Sequence, residues 1–363
     1  MLDDSEGDRL CKALGNNKIL FHGNHGVIVI GTTIAQAFDD LYYLERAAQT
    51  VVLSLSTGRP LKIVDKDICE NYADQSNDEA EYLANAHFGA LKRKLARGYS
   101  SKVPFNLQYP SGATLEDRGR VDLAAAYRLC EYMNYNEGVC NHLSYMIDDD
   151  TFLVIAHGMS WDEVTPENLL LVDERGNVLK GEGKAESTAF YIHSRIHKGR
   201  PQDARCILHT HMPWSTALCN LQNGRLEMCH QNCLKFYNNI AYDPVYRGLV
   251  LDDSEGDRLC KAMGDNKVLF HANHGIIVVG KTIAQAFDDL YYLERAAEVI
   301  VKAMATGKPL KMIDQQTCED YQKQKFGMSA ESNWETLNFA DVHFEALKRK
   351  VSRGYDLELP FDF

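Results

Sequence analysis

The sequence predicts an α/β protein in which helices sandwich a mixed sheet. Three observations carry this. Short apolar strands alternate with amphipathic helices, several strand pairs meet at hairpin turns, and one helix–hairpin–helix segment is written twice. Leu2–Cys69 returns as Leu251–Cys318 at an offset of about 249 positions, and about 40 of the first 47 aligned residues are identical. The texts LDDSEGDRLCKALGNNKILFHGNHG and LDDSEGDRLCKAMGDNKVLFHANHG run in parallel. A repeat this long decides the domain count before anything else. It divides the chain into one complete unit, residues 107–363, preceded by the back half of another, residues 1–105.

In the complete unit, Val121–Met133 has helical apolar spacing and opens the series. Gly138 leads into a strand at Leu143–Ile147, and Asp148-Asp149-Asp150 turns it into a second at Thr151–Ala156. Within Trp161–Asn168, Thr165 is placed to cap and Pro166 to occupy a first helical position. Leu169–Asp173 and Val178–Leu179 flank a hairpin signal at Glu174–Asn177. A helix follows at Ser187–Lys198, closed by Gly199-Arg200-Pro201, then a strand at Cys206–His211 and a helix at Pro213–Leu221. The repeated segment supplies a helix at Asp252–Met263, strands at Val268–His271 and Ile276–Val279, and a long amphipathic helix at Thr282–Thr306. Gly327–Glu335 has no counterpart in the first copy, and its small polar residues predict a loop.

Composition narrows the function. Of 363 residues, 45% are apolar and 25% charged, which describes a globular chain and not a disordered or fibrous one. A unit of about 255 residues can bury a full core without staples. The net charge of −12 argues against nucleic acid or an anionic membrane as the main partner. The basic runs Lys92-Arg93-Lys94 and Lys348-Arg349-Lys350 are expected to be solvated helix faces. The ten cysteines form no CxxC pair, and Cys229-His230 with Cys233 is a weak metal pattern. Free thiols in a reducing compartment are the expectation. The acidic opening Met1–Glu6 lacks the apolar core of a signal peptide. No run approaches the ~18–20 apolar residues of a membrane span, so a cytoplasmic location is expected.

The chemistry concentrates in RCILHTH. His209 and His211 stand two apart on a strand, which puts both imidazoles on one face with Thr210 turned away. His274 lies in the Asn273-His274-Gly275 turn between two apolar strands, where Gly275 lets the backbone come close. Three neutral imidazoles with an open fourth position suit a catalytic zinc-type site, and imidazole also suits iron, manganese or nickel. The plain alternative is a pair of partly exposed histidines and a hydrogen-bonded turn histidine. His193 and His197, four apart, are read as one helix face, and Glu294 as the partner of a neighbouring cation.

ILHTHMPWSTALC, FHANHGIIVVG followed by AQAFDDLYYLERAAE, and VDLAAAYRLCEYM occur in this order and together resemble the class II aldolase/adducin family. The resemblance covers essentially all of residues 107–363. It implies a three-layer α/β/α fold around a central mixed, mostly antiparallel sheet. It implies a divalent metal, zinc foremost with manganese or iron as alternatives, held by His209, His211 and His274. It also implies a homo-oligomer, often a cyclic tetramer with active sites at subunit contacts.

The departures from the family pattern shape the expected activity. Ala189 stands where the aldolases carry a catalytic glutamate. In the phosphate loop His142 replaces an asparagine, Ser144 is kept and Met146 replaces an arginine. The serine-glycine phosphate motif becomes Ala156-His157-Gly158. His142, Ser144, His157 and Gly158 are thus expected to meet a substrate without a phosphate. Retro-aldol cleavage needs a base to take a hydroxyl proton, whereas decarboxylation of a β-keto acid needs only charge stabilisation at the carbonyl oxygen. Glu186, Tyr242 and Tyr246 are the replacement acid–base candidates. The expected function is a metal-dependent carbon–carbon lyase, decarboxylase- or aldolase-like, acting on a small non-phosphorylated oxo or hydroxy acid. The alternative is a non-catalytic adducin-like protein that binds the actin cytoskeleton.

The first copy carries His25 at the position of His274 but has no HxH strand of its own. Either it is a truncated tandem duplicate, or both back halves compete for one set of residues 107–250. The adjoining segment 251–363 is expected to win.

Overall fold

The computed structural model describes residues 4–98, 106–250, 252–331 and 338–352. The first copy supplies α1 (Asp4–Leu14), β1 (Ile19–His22), β2 (Gly26–Val29), α2 (Ile34–Ser56) and α3 (Lys66–Arg97). Then come α4 (Leu115–Tyr132), β3 (His142–Met146), β4 (Thr151–Val154), β5 (Leu170–Asp173), β6 (Val178–Lys180) and α5 (Ser187–Gly199). They are followed by β7 (Cys206–Thr210), α6 (Pro213–Cys219), α7 (Gln231–Leu234) and β8 (Ile240–Asp243). The second copy supplies α8 (Asp253–Met263), β9 (Val268–His271), β10 (Gly275–Gly280), α9 (Ile283–Met304), α10 (Gln315–Glu331) and α11 (Phe339–Ser352).

Eight strands form one sheet in the order β6-β5-β4-β3-β7-β10-β9-β8. Only β8 and β9 run parallel; the other neighbours are antiparallel. Strand periodicity divides the core between the two faces. On β10, Ile276 and Val278 join the cluster that includes Leu123 of α4 and Leu290 of α9. Ile277 and Val279 join Ile192 and Ile196 of α5 and Leu259 of α8 on the other face. A central strand covered on both sides needs apolar residues in both phases, and GIIVVG provides them. The α/β class and the mixed sheet between helices are as the sequence predicts.

The two copies build the same elements and bury them differently. Thr33 and Thr282 each cap the long helix by accepting from the backbone N–H of Gln36 and Gln285, both at 3.1 Å. Phe287 and Leu290 of α9 are 0% exposed against the sheet, while their counterparts Phe38 and Leu41 of α2 are 40% and 41% exposed. β1 and β2 pair only with each other. The second copy docks on the sheet, so β10 and not β2 pairs with β7.

The first copy instead packs α2 against helix α6, and α2 and α3 against loops of the larger sheet. Tyr43 Oη lies 3.0 Å from Cys140 Sγ, and Ser54 Oγ donates to the Ala217 carbonyl at 3.0 Å. Gly158, at φ +79°, makes room for this docking, because a Cβ there would lie 2.8 Å from Ala86 Cβ.

Three expectations need correction. The basic runs are only partly solvated: Lys92, Arg93, Arg349 and Lys350 stay exposed, Arg93 holding Glu163 at 2.7 and 2.8 Å from the surface, but Lys94 pairs with Glu131. Lys348 is buried and donates to Asp122 at 2.7 Å. Acidic residues of the front half draw these cations inward. No helix starts at Pro166, because β5 begins four residues later; the turn of 3₁₀-helix is at Trp161–Glu163 instead. Across Gly327–Glu335, α10 continues through Glu331, and the remainder lies outside the described residues.

Candidate functional site

The site forms where three pieces of backbone meet. β7 carries His209, with His142 of β3 opposite it on one side and Ile277 of β10 on the other. His211 follows just past the strand end. The β9–β10 turn brings His274 alongside, which requires glycine next to it. A Cβ on Gly275 would lie 2.6 Å from the Thr210 carbonyl oxygen and 2.7 Å from His211 Cδ2.

One ligand atom from each of His209, His211 and His274 falls within 4.8 Å of the other two. His209 Nδ1 donates to the Ile276 carbonyl at 2.9 Å, and His211 Nδ1 donates to Glu137 Oε2 at 2.8 Å. Each ring therefore turns a bare Nε2 the other way. Among the described residues His211 Nε2 and His274 Nδ1 are buried polar atoms without a partner. Buried polar groups are normally satisfied, and a cation held among the three rings would satisfy these two. Metal-bound histidines usually give their other N–H to a carboxylate or carbonyl, as His209 and His211 do. The residues fit a divalent ion.

Electrostatics agree. Burial, reinforced by His211, takes the His209 pKa down to about 3. Burial and the neighbouring histidines hold His274 well below the usual range. Burial raises Glu137, but His211 and Arg46 outweigh it and keep the carboxyl below its ordinary value. Neutral imidazoles beside an ionised carboxylate are what a cation needs.

The three histidines open into a cavity of about 690 Å³. His142, His157, Glu186, Ala189 and Tyr246 line it. Glu186 caps α5, accepting from the Thr188 and Ala189 backbone N–H groups at 3.0 and 2.7 Å. Its Oε2 is 3.9 Å from His142 Nε2. The Tyr246 ring sits 5.8 Å from that of His274, and burial pushes its hydroxyl up to about 12.

Other candidates fall elsewhere. Tyr242 stands within β8, where its hydroxyl accepts from Leu226 N at 3.2 Å, and it does not line the cavity. Ser144 is fully buried behind His142, between His193 and His197. Gly158 faces α3. His25 lies in the exposed β1–β2 turn, its ring stacked on His22 at 4.8 Å, and is not in the histidine cluster. Glu294 caps α6, accepting from Trp214 N and Ser215 N at 2.7 and 2.9 Å, in place of the expected cation.

Sequence reasoning missed Glu137 and the part played by the first copy. Tyr43, Tyr72, Gln75 and Glu79 of α2 and α3 line the same cavity, and Arg46 Nε lies 3.7 Å from Glu137 Oε1. No local spacing marks these residues, since they are more than fifty positions from the segment they cover. His271 was also missed. It stands beside His274 with ring centroids 5.0 Å apart, and its Nδ1 is 2.9 Å from Asp243 Oδ2.

Comparison with known proteins places the chain by family and fold. The family model described as Class II Aldolase and Adducin N-terminal domain matches residues 1–52 and 121–301. A Caulobacter vibrioides protein assigned by name to aldolase class 2 is 32% identical over 59% of this chain and 83% of its own. Rat alpha-adducin is 27% identical over 72% of this chain but only 37% of its own length. An aldolase II superfamily protein from Pseudomonas syringae superposes with a TM-score of 0.60 at 29% identity, covering 66% of this chain and 94% of that one. L-fuculose 1-phosphate aldolase from Glaciozyma antarctica gives 0.56 at 25% identity, over 69% and 97%. With more than half of its residues matched by the family model, the chain belongs to the class II aldolase and adducin family.

Proposed function

We propose that the chain is a metal-dependent carbon–carbon lyase acting on a small, non-phosphorylated oxo or hydroxy acid. The observation that carries this is the convergence of His209, His211 and His274, with His209 and His211 spending their Nδ1 protons away from the centre. When bound, a divalent ion, with zinc preferred over manganese or iron, supplies a Lewis acid that stabilises negative charge at the substrate's carbonyl oxygen. Among the described residues no lysine or arginine lines the cavity, which supports a substrate without a phosphate.

The side chains around the histidines divide the remaining work. Tyr246, neutral at physiological pH, holds a proton at its hydroxyl over His274. Glu186 and His142 offer acceptors in the same cavity. Ala189 leaves no carboxylate at the family's base position, so the site favours decarboxylation over retro-aldol cleavage. Residues 1–105 serve in this reading as a partial domain that roofs the cavity of 107–363 with α2 and α3.

Metal analysis of the purified protein tests the proposal. Bound transition metal in the wild type, lost in His209→Ala with His211→Ala, is expected; a wild type without metal sinks it. The adducin relatives favour a second reading, a non-catalytic actin-binding protein, which cosedimentation with actin filaments would reveal. Among the described residues no helix is long and apolar enough to cross a membrane. Assembly into a tetramer belongs to the same proposal, and light scattering checks it.

A further inference from the structure

Behind the three convergent histidines runs a second line of imidazoles that metal binding does not use. His197 Nδ1 lies 2.7 Å from the Ala204 carbonyl oxygen. His197 Nε2 lies 2.7 Å from Ser144 Oγ, which is 2.6 Å from His193 Nδ1. His193 Nε2 in turn lies 2.8 Å from His142 Nδ1. The four side chains are buried, from 0% exposed at Ser144 and His193 to 5% at His142. Only the last ring reaches the cavity.

The carbonyl at the far end fixes every proton in the line. A carbonyl oxygen can only accept, so His197 carries its proton on Nδ1. In a neutral ring its Nε2 is then bare and accepts from the Ser144 hydroxyl. That hydroxyl has spent its single proton, so it accepts from His193 Nδ1–H. His193 Nε2 is left bare and accepts from His142 Nδ1–H. The neutral state has a physical cause: burial drives His193 well below the usual histidine range and takes His197 to about 4.

We propose that the Ala204 carbonyl, acting through His197, Ser144 and His193, locks His142 in one tautomer, so that its bare Nε2 faces the cavity as a hydrogen-bond acceptor for a substrate hydroxyl. His193, Ser144 and His197 are positioning residues; His142 is the binding residue. Glu186 Oε2, 3.9 Å from His142 Nε2, is a second acceptor on the same wall. Two acceptors facing each other seat a proton donor and disfavour a carboxylate or a bare carbonyl oxygen. The site thereby selects the hydroxyl-bearing end of a hydroxy acid. The ligand class rests on the lyase reading, whereas the tautomer does not.

The test uses the full metal-free chain with ring nitrogens labelled with ¹⁵N. Long-range proton–nitrogen correlations separate Nδ1–H from Nε2–H rings, and single His→Gln variants assign the signals. His142, His193 and His197 are expected to show Nδ1–H, the less common form of free neutral imidazole. Ser144→Ala should leave His197 unchanged and return His142 and His193 to tautomer mixtures. His197→Gln, whose side-chain carbonyl restores the acceptor for Ser144, should preserve the His142 signal, and His197→Ala should not. An Nε2–H signal for His142 in the wild type, or a His142 signal indifferent to Ser144→Ala, overturns the lock. If Ser144→Ala fails to fold, the wild-type spectrum decides alone. Lactate should shift the His142 Nε2 resonance and propionate, which lacks the hydroxyl, should not; equal shifts, or none, overturn the hydroxyl seat. Failure of the lyase reading shows separately, as absent metal with the tautomers unchanged.

Discussion

Glu137→Gln is the perturbation that best separates a metal centre from a chance cluster of histidines. The carboxylate takes the His211 Nδ1 proton at 2.8 Å and so turns Nε2 toward the other two rings. It sits in a half-buried pocket where Arg46 approaches to 3.7 Å and its pKa is held below the ordinary value. Gln keeps the shape and one acceptor but removes the charge that strengthens the imidazole as a ligand. Losing such an outer partner costs about 10–100-fold in metal affinity, or about 1.4–2.8 kcal/mol. Zinc competition against a chromophoric chelator at fixed pH measures this directly, with a thermal melt to show that the fold survives. Arg46→Gln is the control, because it weakens the contact with α2 while leaving the His211 bond in place. An unchanged zinc Kd in Glu137→Gln would refute the reasoning, for it would mean that His211 is oriented by something else or binds no metal.

Three further outcomes follow from the geometry. Leu290→Ala should cost about 2–5 kcal/mol in denaturant unfolding, the usual range for a leucine in a full core, while Leu41→Ala at the matching, 41% exposed position should cost almost nothing. Gly275→Ala should cost about 1–3 kcal/mol through overpacking and also abolish metal uptake, because the new Cβ displaces the turn that holds His274. Asp243 is raised by burial but lowered further by His271 and Arg258, so its folded pKa lies well below the ordinary 3.8. A depressed carboxyl contributes stability that is complete above its unfolded pKa and lost as pH falls through the folded one. Asp243→Asn should therefore be less stable than wild type at pH 7, and the gap should close as melts are taken into acid.

The cluster of three histidines was legible because each signal is local. An HxH on a strand has one geometry, and a histidine before glycine in a two-strand turn has nearly one. Distinctions among neighbours were not legible. His142 and Ser144 share one face of β3, yet only His142 reaches the cavity, since the strand is buried throughout and no polar alternation shows where the cavity stops. Tyr242 and Tyr246 are four apart, but β8 ends at Asp243, so only the second is free to swing over His274. Strand β8 itself escaped notice, because IAYD between two asparagines and a proline is too short to carry a period.

The repeat separates what local sequence decides from what neighbours decide. Asp39 and His87 lie 2.7 Å apart in the first copy, and Asp288 and His343 lie 2.7 Å apart in the second. That contact is reproduced because Asp39 and Asp288 share the long repeat, and His87 and His343 open the matching segments HFGALKRK and HFEALKRK. Phe38 and Phe287 carry the same text and meet opposite fates, because the sheet that buries Phe287 stands beside only one copy. The roof over the histidines follows the same rule. Tyr43 reaches Cys140 and Arg46 reaches Glu137 because α2 has only the two-stranded β1–β2 pair of its own copy beside it and not the large sheet. Their counterparts Tyr292 and Arg295 stand on a helix already committed to the core, where Leu293 and Ala297 are fully buried. The duplicated helix thus acquires a place at the site through what it lacks, and no reading of its own sequence could have put it there.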